Sequence, residues 1–340
     1  MEKTNLLHKA KFDRFLIQSD LMSKEETPRY RPLPGGVSSD IWLVELPKRQ
    51  LCIKQALAKL KVKEDWYAPI SRNATEVDWL ITANSIVPKS TPKVFAHDPH
   101  NGMFAMQFIP PNDGRPWKAI LQTGSADPTF ASTVGSTLAT IHSASANIPD
   151  LSQRFSTDDI FRAIRLVPYF ETTANRHPDV KSELLELTEI TASSKLALVH
   201  GDISPKNILV CGDTPVFIDA ECAWWGDPAF DIAFCLNHLL LKCIWVPEAA
   251  VKFLLCFDAM TNAYRSATPD HYLDEVENRA ARLLPALLLS RIDGKSPVEY
   301  ITCKFEKDRV RNAARNMLKN PVTNLENVAN QWAEEIGVMI

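Results

Sequence analysis

Three oxygen-bearing side chains stand at spacings that chemistry could use. In "VHGDISPKNILV", residues 199–210, Asp202 follows His200 and precedes Asn207, and "FIDAE" then supplies Asp219. A carboxylate together with an amide carbonyl suits magnesium, which keeps part of its water shell and takes further ligands from substrate phosphates. A second carboxylate left free of the metal could accept a proton from a hydroxyl nucleophile. Taken singly, Asp and Asn also build ordinary turns ahead of strands. What matters is therefore their order and the elements that bring them together.

Those elements are legible in the pattern around them. The apolar runs "ILV" at 208 and "VFI" at 216, separated by "CGDT", read as a hairpin. Asp202 precedes its first strand and Asp219 ends its second, so closing the hairpin carries both carboxylates and Asn207 to one end. Elsewhere beyond residue 114 helical periodicity dominates, over 129–146, 158–176, 179–193, 228–242, 247–265, 270–291, 304–318 and 323–336. The first third is different. "PGGVSSDIWLVEL" and "QLCIKQA" form an expected hairpin, "SRNATEVDWLITA" a helix against it, and "KVFAHD" and "GMFAMQFI" two more strands joined by a turn at 97–102. "IPPNDG", residues 109–114, interrupts the pattern with two prolines and a glycine. The expectation is an α+β chain with a small β-rich N-terminal lobe over 1–109 and a larger, mainly helical lobe over 110–340.

Composition removes several function classes. A length of 340 residues, 45% hydrophobic and 23% charged with a net charge of -3, describes a folded chain with no global basic surface for nucleic acid. The seven cysteines are odd in number and never spaced C-x-x-C. Most lie in apolar segments, which suits buried free thiols in a reducing, cytoplasmic setting. The N-terminal "MEKTNLLHKAKFDRFL" has no apolar core of a signal peptide. The oily stretch 229–257 is interrupted by Asp231, Asn237, Lys242, Pro247 and Glu248, and reads as core helices with no membrane partner.

"HGDISPKNILV", "FIDAE" and "WGDPAFDIA" resemble the catalytic core of the aminoglycoside phosphotransferase and choline kinase family, small-molecule kinases with a bilobal protein-kinase-like fold. The resemblance covers most of the chain and is strongest at 199–233. It implies that Asp202 is the catalytic base or hydroxyl-orienting group, that Asn207 and Asp219 hold Mg2+, and that His200 supports the loop. It further implies ATP as donor, a small hydroxyl-bearing acceptor, Lys54 on the nucleotide phosphates and Glu76 as its ion-pair partner. Gly35, Gly36, Ser38 and Ser39 would form the loop over the phosphates, although Gly-Gly alone also marks a plain hairpin turn. The aspartate matching Asp231 braces the catalytic loop, while Asp227 before Pro228 has the form of a helix N-cap. Ser204 and Ala220-Glu221 replace residues common in protein kinases, and no Ala-Pro-Glu segment is evident, so a peptide acceptor is not expected. The same departure leaves open which cation balances the transferring phosphoryl group.

The acceptor is less constrained. Glu221 could face the metal, the acceptor or solvent. With Trp224 and Trp225 it could form an acidic, aromatic wall for an amine-bearing acceptor, or the tryptophans could be packing anchors. Sugars, amino alcohols and aminoglycosides all fit. Two rival readings stand beside the kinase: a nucleotide-binding pseudokinase without turnover, and a metal-dependent hydrolase, which would leave Lys54 and the Gly-Ser loop without a purpose.

Overall fold

A computed structural model describes residues 2–34, 38–61 and 66–338. Five antiparallel strands form the N-terminal sheet: β1 (Arg29–Leu33), β2 (Ser39–Leu46), β3 (Arg49–Ala56), β4 (Val94–Asp98) and β5 (Met103–Gln107), in the order β1-β2-β3-β5-β4. Alternation along β3 assigns its two faces. Leu51 and Ile53 join Val44, Leu46, Met103 and Ala105 beneath helix α1 (Glu2–Gln18), whose Phe12, Phe15 and Leu16 fall at helical spacing and complete that layer. Lys54 therefore points to the opposite face, in register with Ile41 on β2 and Phe104 on β5. On this face lies α2 (Arg72–Ile86), which sends Val77, Trp79, Leu80 and Ala83 into the main core and carries Glu76.

The chain leaves the sheet after Gln107 and re-enters regular structure at β6 (Arg115–Pro116). From there to the C-terminus the fold is mainly helical. The helix Pro128–Ser145 lies tightly on Ala250–Ala267, and Gly135 permits it: a Cβ there would stand 2.3 Å from the Met260 carbonyl oxygen. Pro228–Trp245 is long and apolar enough to span a bilayer, but 94% of it is buried inside the fold, against Asp270–Asp293 and Ala250–Ala267. It is a core helix, as its interrupting polar residues implied.

Two nested strand pairs build the loop that bears the site. The inner pair is the expected hairpin, β8 (Ile208–Cys211) with β9 (Thr214–Phe217). The outer pair joins β7 (Ala197–Val199) to β10 (Trp224–Gly226), with Val199 opposite Trp224. Together they hold residues 200–207 and 218–223 side by side. The arrangement is the two-lobed α+β one expected, with corrections. β1, α1, β7 and β10 are additional to the expected elements. The helix expected over 158–176 widens to π geometry across Arg162–Glu171, where Pro168 has no N–H to give to the ladder. Of the seven free cysteines, Cys211 is half-buried and Cys303 exposed, and the other five are buried.

Candidate active site

The catalytic-loop segment is shaped by a buried carboxylate. Asp231, in the first turn of Pro228–Trp245, accepts from the His200 and Gly201 backbone N–H groups at 2.7 and 2.8 Å. Gly201 has φ +77°, and a Cβ there would lie 2.7 Å from the Cys222 carbonyl oxygen, so only glycine fits between the two strand pairs. His200 links the halves of the loop. Its Nδ1 lies 3.1 Å from the Asp202 N–H and its Nε2 3.1 Å from the Ile218 carbonyl. Those partners fix the neutral tautomer: Nδ1 accepts and Nε2–H donates. Burial lowers the His200 pKa, in keeping with that form.

Asp202 is thereby placed at the base of the cleft, 5% exposed. Asn207 Nδ2 donates to its carboxylate at 2.8 Å and to its backbone carbonyl at 3.0 Å. Two cations absent from the set expected on sequence grounds complete its surroundings. Arg165, from the π segment, lies 2.9 Å from Asp202 Oδ2 and also donates to the Gly201 carbonyl. Lys206, four residues on, stands 3.3 Å from the same oxygen. Burial would raise the Asp202 pKa, but Arg165 and then Lys206 outweigh it and hold the carboxyl below the usual aspartate value. Lys206 is visible within "SPKNILV" as the cation nearest the loop; Arg165 lies on a distant helix with no local signal.

On the other side of the loop, Lys54 Nζ bonds Glu76 at 2.7 Å and Asp219 at shorter range. Burial would neutralise Lys54, yet Asp219 and Glu76 together keep it above the ordinary lysine value. For Glu76 burial prevails over Lys54 and lifts the carboxyl to about 7. Asp219 sits in left-handed backbone at φ +69° and remains partly exposed; Lys54 and Lys206 overcome the effect of burial and hold its carboxyl low.

Two cavities meet here. The larger, about 540 Å³, is lined by Ser39, Lys54, Glu76, Asn207 and Asp219, with Ile41 and Met106 as its apolar wall. The smaller, about 220 Å³, is lined by Asp202, Glu221, Arg165, Tyr169, Phe234 and Arg291 among others. Lys206 and Asp219 belong to both. Magnesium fits the junction. Asn207 spends its Nδ2 on Asp202 and so has its amide oxygen for a metal, and Asp219 is bound to Lys54 through only one carboxylate oxygen. Among the described residues no cluster of three or more His, Cys, Asp or Glu could close around an ion. An ion bound there would complete its shell with water and phosphate oxygens, as magnesium does.

The remaining predicted residues divide. Ser38 and Ser39 are buried near the cleft; Ser39 opens β2 in the larger cavity, and Ser38 lines the smaller while its carbonyl accepts from Arg72 at 2.6 Å. Gly35 and Gly36 lie outside the described residues. Asp227 caps Pro228–Trp245 through the Ala229 N–H at 3.0 Å and pairs with Arg279 at 2.8 Å. The aromatic part of the expected wall is corrected in favour of the packing-anchor reading, while Glu221 lines the smaller cavity. Glu221 is held by the buried Arg72 at 3.0 Å, whose other four N–H groups are taken by backbone carbonyls. Trp224 and Trp225 line neither cavity. Their positions on β10 turn Trp224 inward, where it stacks on Phe161 at 4.0 Å, and leave Trp225 packed against the outer part of the core.

The whole fold is shared with small-molecule kinases. The ethanolamine kinase of Plasmodium vivax aligns over 95% of this chain and 85% of its own, with a TM-score of 0.54 at 14% identity. A choline kinase from Cryptosporidium parvum aligns over 89% and 93%, also at 0.54 and 14%. At that identity the likeness is one of fold. Residues 29–254 match the phosphotransferase enzyme family, and the chain belongs to that family. Among sequence relatives, the methylthioribose kinase of Pectobacterium carotovorum is 28% identical over 229 residues, 58% of this chain and 56% of that protein. The corresponding enzyme of Yersinia pseudotuberculosis is 28% identical over 230 residues, 59% and 55%. The chain thus spans a little over half the length of the curated relatives it matches.

Proposed function

We propose that the protein transfers the γ-phosphate of ATP to a hydroxyl of a small molecule. One observation carries this reading: Asp219 and Lys206 form the common wall of two cavities, with the Lys54–Glu76 pair on one side and Asp202 on the other. The larger cavity has the size and the apolar wall for a nucleotide, and its polar end leads to Lys54. The smaller takes the acceptor. Phosphoryl transfer needs positioning and charge neutralisation more than covalent chemistry from the protein, and the junction supplies both.

Asp202 orients the acceptor hydroxyl and takes its proton as the bond to phosphorus forms. Its low pKa makes it a weak base, so its main contribution is alignment of the oxygen for in-line attack. Lys54 bonds the nucleotide phosphates while Glu76 holds its ammonium in place. Asn207 and Asp219 would hold Mg2+, which when bound neutralises phosphate charge. Lys206 stands where the transferring group passes, and provides the cation that Ser204 cannot.

The test is a screen of hydroxyl compounds with ATP and magnesium, read by mass gain of one phosphate on the acceptor. A product that appears with the parent and not with Asp202→Asn supports the reading. ATP binding without transfer to any compound would favour a pseudokinase, and release of inorganic phosphate at full rate without acceptor would favour a hydrolase.

A further inference from the structure

Beside the acceptor cavity lies a smaller recess of about 30 Å³, which shares Lys206, His238, Arg291 and Glu299 with it. Its walls come from five separate parts of the chain, one of them Lys118 in the helix Trp117–Leu121. Ser204 belongs to the catalytic loop, Lys242 to Pro228–Trp245, Arg291 to Asp270–Asp293 and Tyr300 to the segment after that helix. Among the described residues, three buried polar atoms on these walls have no hydrogen-bond partner: Ser204 Oγ, Arg291 Nε and Tyr300 OH. A group of this kind left unsatisfied costs roughly 1–3 kcal/mol, and three around one recess indicate something that is meant to meet them.

All of these groups can donate. Arg291 is 9% exposed and Lys242 1% exposed. Lys242 rests its ammonium on the rings of Trp245 and Tyr300, at 4.6 and 4.5 Å from the centroids, and among the described residues no carboxylate lies within ion-pair reach of it. Glu299, the acid at the rim, is already paired with Lys118. The recess thus sets Arg291, Lys242, Lys206, Lys118 and two hydroxyls around a space of one small group. A ligand rich in acceptors and negative in charge suits that set best.

Resting on the kinase reading above, we infer that the recess seats an anionic substituent of the acceptor, a carboxylate or a phosphate, while the acceptor's hydroxyl reaches Asp202 through the adjoining cavity. The acceptor is then a hydroxy acid, sugar acid or sugar phosphate. The electrostatics agree. Burial, followed by Lys118 and Arg291, draws Lys242 down to about 7 against the opposite pull of Glu299 and the buried Cys235. With Lys206 and a neutral His238 also facing the recess, an arriving anion restores the Lys242 charge. Binding should therefore take up a proton near neutral pH and weaken as pH rises past about 7.

The experiment is calorimetric titration of the full chain with D-glycerate, D-gluconate and glycerol 3-phosphate, with glycerol, glucose and choline as neutral and cationic counterparts. Inorganic sulfate and phosphate serve as bare anions. Turnover with Mg-ATP is measured on the same set. The expected result is binding by acids at least about tenfold tighter than by their counterparts, reduced about tenfold or more by Lys242→Met and by Tyr300→Phe, with KM for the acid rising and kcat nearly unchanged. Tyr300→Phe removes one oxygen and preserves the ring, so the test does not depend on Lys242→Met folding well. Preference for glycerate or for glycerol 3-phosphate tells carboxylate from phosphate. Absence of acid binding, or equal binding by parent and both variants, overturns the inference. Transfer confined to neutral or cationic acceptors overturns it while the kinase reading stands. Acid binding that needs Lys242 and Tyr300, without phosphate transfer to any hydroxyl, leaves the anion seat intact and removes the kinase reading.

Discussion

The two sides of the cleft treat charge in opposite ways. On the nucleotide side, Lys54, Glu76 and Asp219 are joined in one chain of ion pairs before any ligand arrives. On the acceptor side, among the described residues, Lys242 rests on two aromatic rings with no ion pair and the Nε of Arg291 has no hydrogen-bond partner. Nucleotide phosphates bring a large negative charge that magnesium can share, so a paired and rigid lysine suffices to position them. A small acceptor has few handles, and its recognition depends on donors held in readiness. On the proposed reading, the comparison teaches that the nucleotide side is built for alignment and the acceptor side for selection.

The largest effect should come from the group between the two sides. Asp202→Asn should lower kcat by about 100-fold or more, within the range for loss of a positioned acid or base, while ATP affinity measured by calorimetry stays within about twofold. Parent-like turnover would show that alignment does not pass through this carboxylate.

Next come Asp219→Ala and Asn207→Ala. Each removes an oxygen ligand at the junction, so magnesium-dependent ATP binding should fall by about tenfold or more, with binding in the absence of metal little changed by Asn207→Ala. Asp219→Ala has a further consequence, because it frees Lys54 from one of its two carboxylates. Equal Mg-ATP binding by both variants and the parent would place the metal elsewhere.

Arg165→Gln should act more gently and through Asp202. Its loss removes the largest charge opposing burial and leaves mainly Lys206, so the Asp202 carboxyl rises. The acid limb of kcat/KM, which reports this carboxyl held under its usual value in the parent, should move to higher pH in the variant. The rate at neutral pH should fall about tenfold. A structural role alone would lower the amount of folded protein and leave the limb where it was.

The unequal legibility of the molecule has its origin in the same division. Asp202, Asn207 and Asp219 can be read because one hairpin and its flanks carry all three within a short stretch, and the apolar runs around them announce the strands. Lys54 and Glu76 are readable only through the family resemblance, since a lone strand lysine and a helix-face glutamate are otherwise ordinary surface residues. Arg165 is not, since its chemistry depends on a π segment meeting the loop from 36 residues upstream of Gly201. Nor is the proposed anion recess, whose lining comes from five places. Helix α1 is hidden by its charge, with Phe12, Phe15 and Leu16 the only strong apolar face on the described part. β7 and β10 have three residues each, too few for alternation to show. Without β10 in view, nothing in the sequence turns the tryptophans away from the cleft.

Trp225 gives the smallest and sharpest prediction. An aromatic wall for amine-bearing acceptors would make Trp225→Ala selectively harmful to them. The residue instead packs against the outer core, and its backbone N–H bonds the Phe155 carbonyl at 2.8 Å, which fixes β10 and not the acceptor. Truncating a partly buried indole should cost about 1–3 kcal/mol of stability. Kinetic constants for amine-bearing, neutral and acidic acceptors should each change by less than about twofold once corrected for folded protein. The distinction is measurable, since lost folding lowers all activities in one proportion whereas a lost cation–π contact raises KM for cations alone. A selective loss toward amines would move the acceptor to the β10 side of the loop and undo the contrast between a paired nucleotide side and a donor-rich acceptor side.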